Sequence, residues 1–139
     1  MTATSVKENE RIATDWFDQV WNNGEFDSDA LADDYHVITN MGSHDELTAR
    51  EYQETVAHFH DAFPDLHKEI NEAIATDDEV VIQYTLTGTH EGDLMEIPPT
   101  GIAVEIEAVD IVDVEDDGIA RELFVADFLR LMRQLEVVE

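Results

Sequence analysis

A chain of 139 residues that is 43% hydrophobic is one domain's worth, 1–139, with ample material for a core, and its lack of cysteine excludes disulfides and thiolate chemistry. Its 34 acidic residues outnumber 7 basic ones, a net charge of −27, so no basic stripe is present to neutralise phosphates and a nucleic-acid partner is excluded. No run reaches the roughly 18 apolar residues of a membrane span, and the opening MTATSVKENE is unlike a signal peptide, so no membrane partner and a cytoplasmic location are expected.

The acids are distributed along the chain, and Lys7 and Lys68 are its two lysines. That pattern fits a halophilic protein, because at molar salt the Debye length falls to about 3 Å and self-repulsion is screened. The other reading is a surface that meets a cationic partner.

In chain order, Ser5-Val6-Lys7-Glu8 has the spacing of a capping box, and Ile12, Trp16 and Val20 recur at four-residue steps as an amphipathic helix. Asn22-Asn23-Gly24 stops it, and Ser28 is placed to cap a short second helix carrying Ala30 and Leu31. An extended stretch from Tyr35 to Asn40 follows. Thr48-Ala49-Arg50-Glu51 is a second capping box, opening a helix whose Tyr52, Val56, Phe59 and Phe63 share a face and which ends near Pro64.

From residue 67 the period becomes two. His67 to Ala75 reads as a strand, and Val80, Ile82, Tyr84 and Leu86 form the apolar face of the next. Pro98-Pro99-Thr100-Gly101 is a turn, Val104, Ile106 and Ala108 continue a strand face, and Asp116-Asp117-Gly118 marks a hairpin. The last strand runs from Ile119 to about Asp127, with a short helical turn through Leu131 and Leu135. Helices first and strands second make the fold class α+β.

Two carboxylates interrupt apolar faces. Asp110 continues Val104, Ile106 and Ala108; Asp127 follows Ile119, Leu123 and Val125 at even spacing. In regular strands both point inward, where burial raises a carboxyl pKa toward the range useful for acid/base work. A bulge would turn either outward, and in so acidic a chain an acid at any position is common. The six histidines make no metal signature, so no metal is expected; His58 and His60 face different sides of a helix, and His36, His44 and His67 stand isolated on or near loops, where solvent explains them. His90, beside Gly88 and Gly92, reads either as a satisfied structural histidine or as a ligand contact. Trp16, Phe63 and Tyr84 read as core residues that could also line a cavity between helices and a curved sheet.

Val20-Trp21-Asn22-Asn23-Gly24, Ala62-Phe63-Pro64-Asp65-Leu66, Gly88-Thr89-His90-Glu91-Gly92, Ile97-Pro98-Pro99-Thr100-Gly101 and Gln134-Leu135 stand in an order and spacing that resemble those of SnoaL-like polyketide cyclases. The resemblance implies a nuclear-transport-factor-2-like fold: N-terminal helices packed on a highly curved, mainly antiparallel sheet that forms a cone with a central pocket. It also implies a homodimer and cofactor-free acid/base closure of a ring by an intramolecular aldol reaction. On that resemblance Asp127 falls on the catalytic aspartate, and His90 and Asn40 fall on pocket positions. The stretch Arg121-Glu122-Leu123-Phe124 departs from the "E-H-W" of the family.

Two functions follow as expectations. One is a cyclase, lyase or isomerase in which Asp127 removes a proton α to a carbonyl while His90 or Asn40 holds the enolate oxygen, with Asp110, Trp16, Phe63 and Tyr84 around the pocket. The alternative is a non-catalytic binder that holds a small apolar ligand in the same cavity.

Overall fold

A computed structural model of the protein describes residues 3–39 and 45–137, with side chains from Val6 to Thr39 and from Glu46 to Val137. Helix α1 spans Ala3–Trp21 and buries Ala13, Trp16, Phe17, Val20 and Trp21, the stripe expected from their spacing. It begins upstream of Ser5, so the expected N-cap is inside the helix; the Ser5 side chain lies outside the described residues. A single 3-10 turn, Ser28–Ala30, replaces the expected short helix, and Asp27 rather than Ser28 caps it.

Strand β1 covers Leu31–Thr39, longer than the expected extended stretch, and β2 covers Asp45–Leu47. Helix α2 spans Ala49–Ala62 with the expected capping box: Thr48 Oγ1 accepts from the Glu51 N–H at 3.2 Å, and the Thr48 N–H donates to Glu51 Oε1 at 3.0 Å. Phe63 closes it ahead of Pro64, whose ring cannot continue a helix. Strands β3 (His67–Ala75), β4 (Glu79–Thr89), β5 (Ala103–Glu115) and β6 (Gly118–Ala126) precede a short α3, Phe128–Gln134.

The six strands form one sheet in the order β2-β1-β6-β5-β4-β3. Every pairing is antiparallel except β1 with β6. Helix α1 packs over β3, β4 and β5, α2 over β1 and β2, and α3 against β5. The core therefore lies between the helices and one face of the sheet, as an α+β layering requires.

Register slips shape the inner face, one of them between β1 and β6, where Leu31 pairs with Ile119 but His36 pairs with Arg121. Between β3 and β4 the pairing slips at Asn71; between β5 and β6, Asp113 pairs with Arg121 but Val114 pairs with Ile119, leaving Ala120 as an extra residue. Such bulges bend a strand and reverse which side chains face inward. Ile119 and Ala120 are consecutively buried, and beyond them the inward positions are Glu122 and Phe124. Gly118 starts β6 with φ +133°, and a Cβ there would lie 2.5 Å from the Ala30 carbonyl oxygen, so this hairpin end requires glycine.

Candidate functional site

The bulge at Ala120 decides which acid enters the interior. Regular alternation from Ile119 would have carried Leu123, Val125 and Asp127 inward; instead Val125 is 46% exposed and Glu122 is fully buried. The chain leaves the sheet after Ala126, and the exposed Asp127 caps α3, its Oδ1 accepting from the Arg130 N–H at 3.1 Å. The expectation that Asp127 points into the pocket is corrected on that ground.

Asp110 does turn inward, as its strand pattern predicts, and is wholly buried. Its neighbour on β6 is Phe124, and Glu122 projects from the same face one pleat away, opposite Val112. Glu122 Oε2 accepts from Trp16 Nε1 at 3.0 Å and from the Tyr35 hydroxyl, a bond between a buried phenol and a carboxyl. Trp16, expected at the pocket wall, is thus the link from α1 to this acid. Burial, followed by the charge of Glu122 and a hydrogen bond with it, pushes the Asp110 carboxyl well above the ordinary range, while the Lys68 charge acts in the opposite direction. With both acids ionised, Asp110 Oδ1 and Oδ2 and Glu122 Oε1 have no hydrogen-bond partner. A proton on Asp110 supplies the missing donor between the two carboxyls, as expected for buried acids that cannot both carry charge.

Lys68, at the start of β3, follows Leu66 on the inward face and is 3% exposed. Its ammonium nitrogen stands 3.2 Å from the Trp21 ring centroid, 4.7 Å from that of Tyr84, 5.1 Å from Phe124 and 5.5 Å from Phe17. The rings attract a cation through their faces, but they cannot replace its hydration. Burial brings the Lys68 pKa down to about 7, against the attraction of Asp110 and Glu122, which hold it up. Nζ lies 3.4 Å from the Tyr84 hydroxyl, which burial and the two acids keep well above its usual pKa and hence protonated.

The backbone of Lys68 is fixed as firmly as its side chain. Its N–H donates to Asn22 Oδ1 at 2.8 Å, and its carbonyl accepts from Asn22 Nδ2 at 2.9 Å. The residue before Asn22 is Trp21, whose Nε1 donates to the Tyr52 hydroxyl at 2.9 Å and whose carbonyl meets His60 Nε2 at 2.8 Å. The Trp-Asn pair at the end of α1 therefore sets both the ring over the amine and the strand that carries it.

Lys68, Trp21 and Tyr52 border an apolar cavity in which ≈ 50 Å³ is open to the centre of a water-sized molecule. Trp21, Tyr52, Phe63, Tyr84 and Phe124 line it, and Lys68 is the one lining side chain among the described residues that can carry a positive charge. Phe63 and Tyr84 thus stand where a pocket was expected. His90 does not line this cavity. It is buried against Phe63, with ring centroids 5.5 Å apart, and its Nδ1 accepts from the Thr100 N–H at 3.2 Å, pinning the Pro-Pro-Thr-Gly loop. That bond puts the proton of a neutral ring on Nε2, which is buried without a partner. Asn40 and His44 lie outside the described residues. Among the described residues no group of three His, Asp or Glu side chains is arranged to hold a metal ion.

Sequence reasoning missed Lys68 and Glu122. A lysine continuing the apolar side of β3, in a chain with two lysines, was a usable signal. Glu122 carried none, because its inward direction depends on the bulge.

The model of the SnoaL-like polyketide cyclase family matches residues 11–135. The chain belongs to that family. Solved structures agree. AclR from Streptomyces galilaeus is 21% identical with a TM-score of 0.84, the match covering 96% of this chain and 88% of that one. A SnoaL-like polyketide cyclase from Agrobacterium tumefaciens is 20% identical with a TM-score of 0.69, over 89% of this chain and 94% of the other. A Catenulispora acidiphila protein with a ketosteroid isomerase-like fold, solved with trimethylamine, is 12% identical with a TM-score of 0.70, over 90% of this chain and 92% of the other. At these identities the likeness carries the fold, which is nuclear-transport-factor-2-like. No curated protein matches the chain in sequence. Among the described residues no helix is long and apolar enough to cross a membrane.

Proposed function

We propose that this SnoaL-like protein catalyses proton transfer at carbon α to the carbonyl of a small apolar substrate, as a cyclase or isomerase that draws its acid and base from its own side chains. The observation that carries this reading is an amine, Lys68, buried in an aromatic cavity, where desolvation lowers its pKa to about 7. A base with a pKa near the working pH is the one best placed for general-base catalysis. The Tyr84 hydroxyl beside Nζ is a protonated donor for the oxygen of the developing enolate. Asp110, holding its proton behind them, keeps a second negative charge out of the interior.

In this reading Asp127 is a helix cap and His90 a loop anchor, so the chemistry belongs to a different set of residues from the one the family resemblance implies. The test is exchange of α-hydrogens of small ketones in deuterated water, followed by NMR. Wild type should accelerate exchange, Lys68→Met should lose about a hundredfold or more, and Asp127→Asn should keep nearly all of it. Rapid exchange that survives in Lys68→Met but disappears in Asp127→Asn would overturn the assignment. No exchange by the wild type, with ketones still binding in the cavity, would favour the non-catalytic binder.

The setting belongs to the same proposal. The net charge of −27 supports a salt-adapted protein, and the family membership supports a homodimer. Light scattering across salt concentrations tests the oligomeric state.

A further inference from the structure

Lys68 is more than a base within reach of a substrate. Its nitrogen sits among four aromatic rings, its main chain is clamped on both sides by Asn22, and the cavity in front of it is apolar. An amine in such a place is desolvated, held to one position and shielded from bulk water, the conditions under which lysine acts as a nucleophile toward carbonyl carbon.

We propose that Lys68 forms a covalent imine with aldehyde or ketone ligands that enter the cavity. This rests on the reading of the cavity as a carbonyl site and changes how the carbonyl is activated. The nitrogen lone pair forms the N–C bond while the C=O π pair moves to oxygen, and a proton passes from nitrogen to that oxygen. The second nitrogen hydrogen then leaves with the oxygen as water, and the C=N bond takes its place. Hydrolysis reverses the step and returns the amine, so no external oxidant or reductant is consumed. The Tyr84 hydroxyl, 3.4 Å from Nζ, is placed to donate a hydrogen bond to the departing oxygen.

Among the described residues the ionisable groups that act on this nitrogen are Tyr84 from β4, Asp110 from β5 and Glu122 from β6, while α1 brings the Trp21 and Phe17 rings. Tyr84 and Asp110 both hold their protons more firmly than in water, which leaves the amine as the group that releases one near neutrality.

The experiment uses acetylacetone, a small 1,3-diketone that condenses with a free amine and then rests as a stable vinylogous amide. Intact protein incubated with it near neutral pH should gain the mass of the diketone less one water, with a new near-ultraviolet band. Peptide mapping should place the adduct on Lys68, at a rate on the order of a hundredfold above that on the exposed Lys7, because burial favours the uncharged, nucleophilic amine at Lys68. Lys68→Met should abolish the adduct, and the mapping of wild type stands alone if that variant does not fold. Labelling of Lys7 or the N-terminal amine at least as fast as Lys68, or no labelling, overturns the proposal. A catalyst of α-hydrogen exchange that borohydride fails to inactivate in the presence of ketone keeps the proton-transfer function and also removes the imine. Labelling at Lys68 without any exchange activity keeps the imine and removes that function.

Discussion

Asn22 and Lys68 are joined by a reciprocal pair of hydrogen bonds, 2.8 Å from the Lys68 N–H to Asn22 Oδ1 and 2.9 Å from Asn22 Nδ2 to the Lys68 carbonyl. The pair connects the end of α1 to the first turn-in of β3 across a long stretch of chain. Each bond contributes about 0.5–1.5 kcal/mol net, so Asn22→Ala should lower stability by about 1–3 kcal/mol in denaturant titration. The same variant should slow labelling of Lys68 more than it slows labelling of Lys7, because the clamp positions the amine as well as the strand.

Lys68→Met should raise the melting temperature at neutral pH. The unfolded lysine keeps its proton up to about 10.5, whereas the buried one releases it near 7. Between those values the unfolded state binds more protons, so the Lys68 contribution makes the fold more stable as pH rises and costs most at pH 7 and below. Removing the amine should therefore stabilise on the order of a few kcal/mol at pH 7, with the gain shrinking toward pH 10. Asp110 acts in the opposite sense: its raised folded pKa means that stability is lost as pH climbs above the ordinary aspartate range. Comparing variant with wild type at each pH cancels most of that term, leaving the Tyr84 hydroxyl and Glu122 as the other titratable groups near the amine.

Glu122→Leu should be more damaging than Glu122→Gln. The leucine leaves the indole N–H of Trp16 and the hydroxyl of Tyr35 buried with nothing to accept them, at about 1–3 kcal/mol for each. The amide oxygen of glutamine can still accept both. Chemical unfolding of the two variants side by side checks the order.

Asp127→Ala should cost about 0.5–2 kcal/mol, the ordinary loss of an N-cap, and Asp127→Asn only a fraction of that. Neither should collapse turnover. Thermal melts paired with the exchange assay separate the capping role from a catalytic one.

Stability should rise with salt. With 34 acidic and 7 basic residues, and with the described ion pairs Arg11–Glu8, Arg11–Asp15, Arg50–Glu54 and Arg121–Asp113 engaging few of the acids, most of the negative charge is uncompensated. A melting temperature that stays flat from about 0.1 to about 3 M salt would show that screening does not matter to this fold.

Much was determined locally and could be read from the chain alone. The stripe of Ile12, Trp16 and Val20, the Thr48–Glu51 capping box, the break at Pro64 and the alternation through β4 each depend on residues a few places apart. The inward turn of Asp110 also followed from alternation, because β5 is regular through that point. Only the tertiary structure decided the rest. One extra residue at Ala120, read against a partner strand, exchanged Asp127 for Glu122 as the acid facing inward, since a shift of one place reverses every side chain beyond it. Lys68 was visible as a residue type but not as a site. Its depressed pKa arises from burial among Phe17, Trp21, Tyr84 and Phe124, four rings that separate elements of the chain bring together.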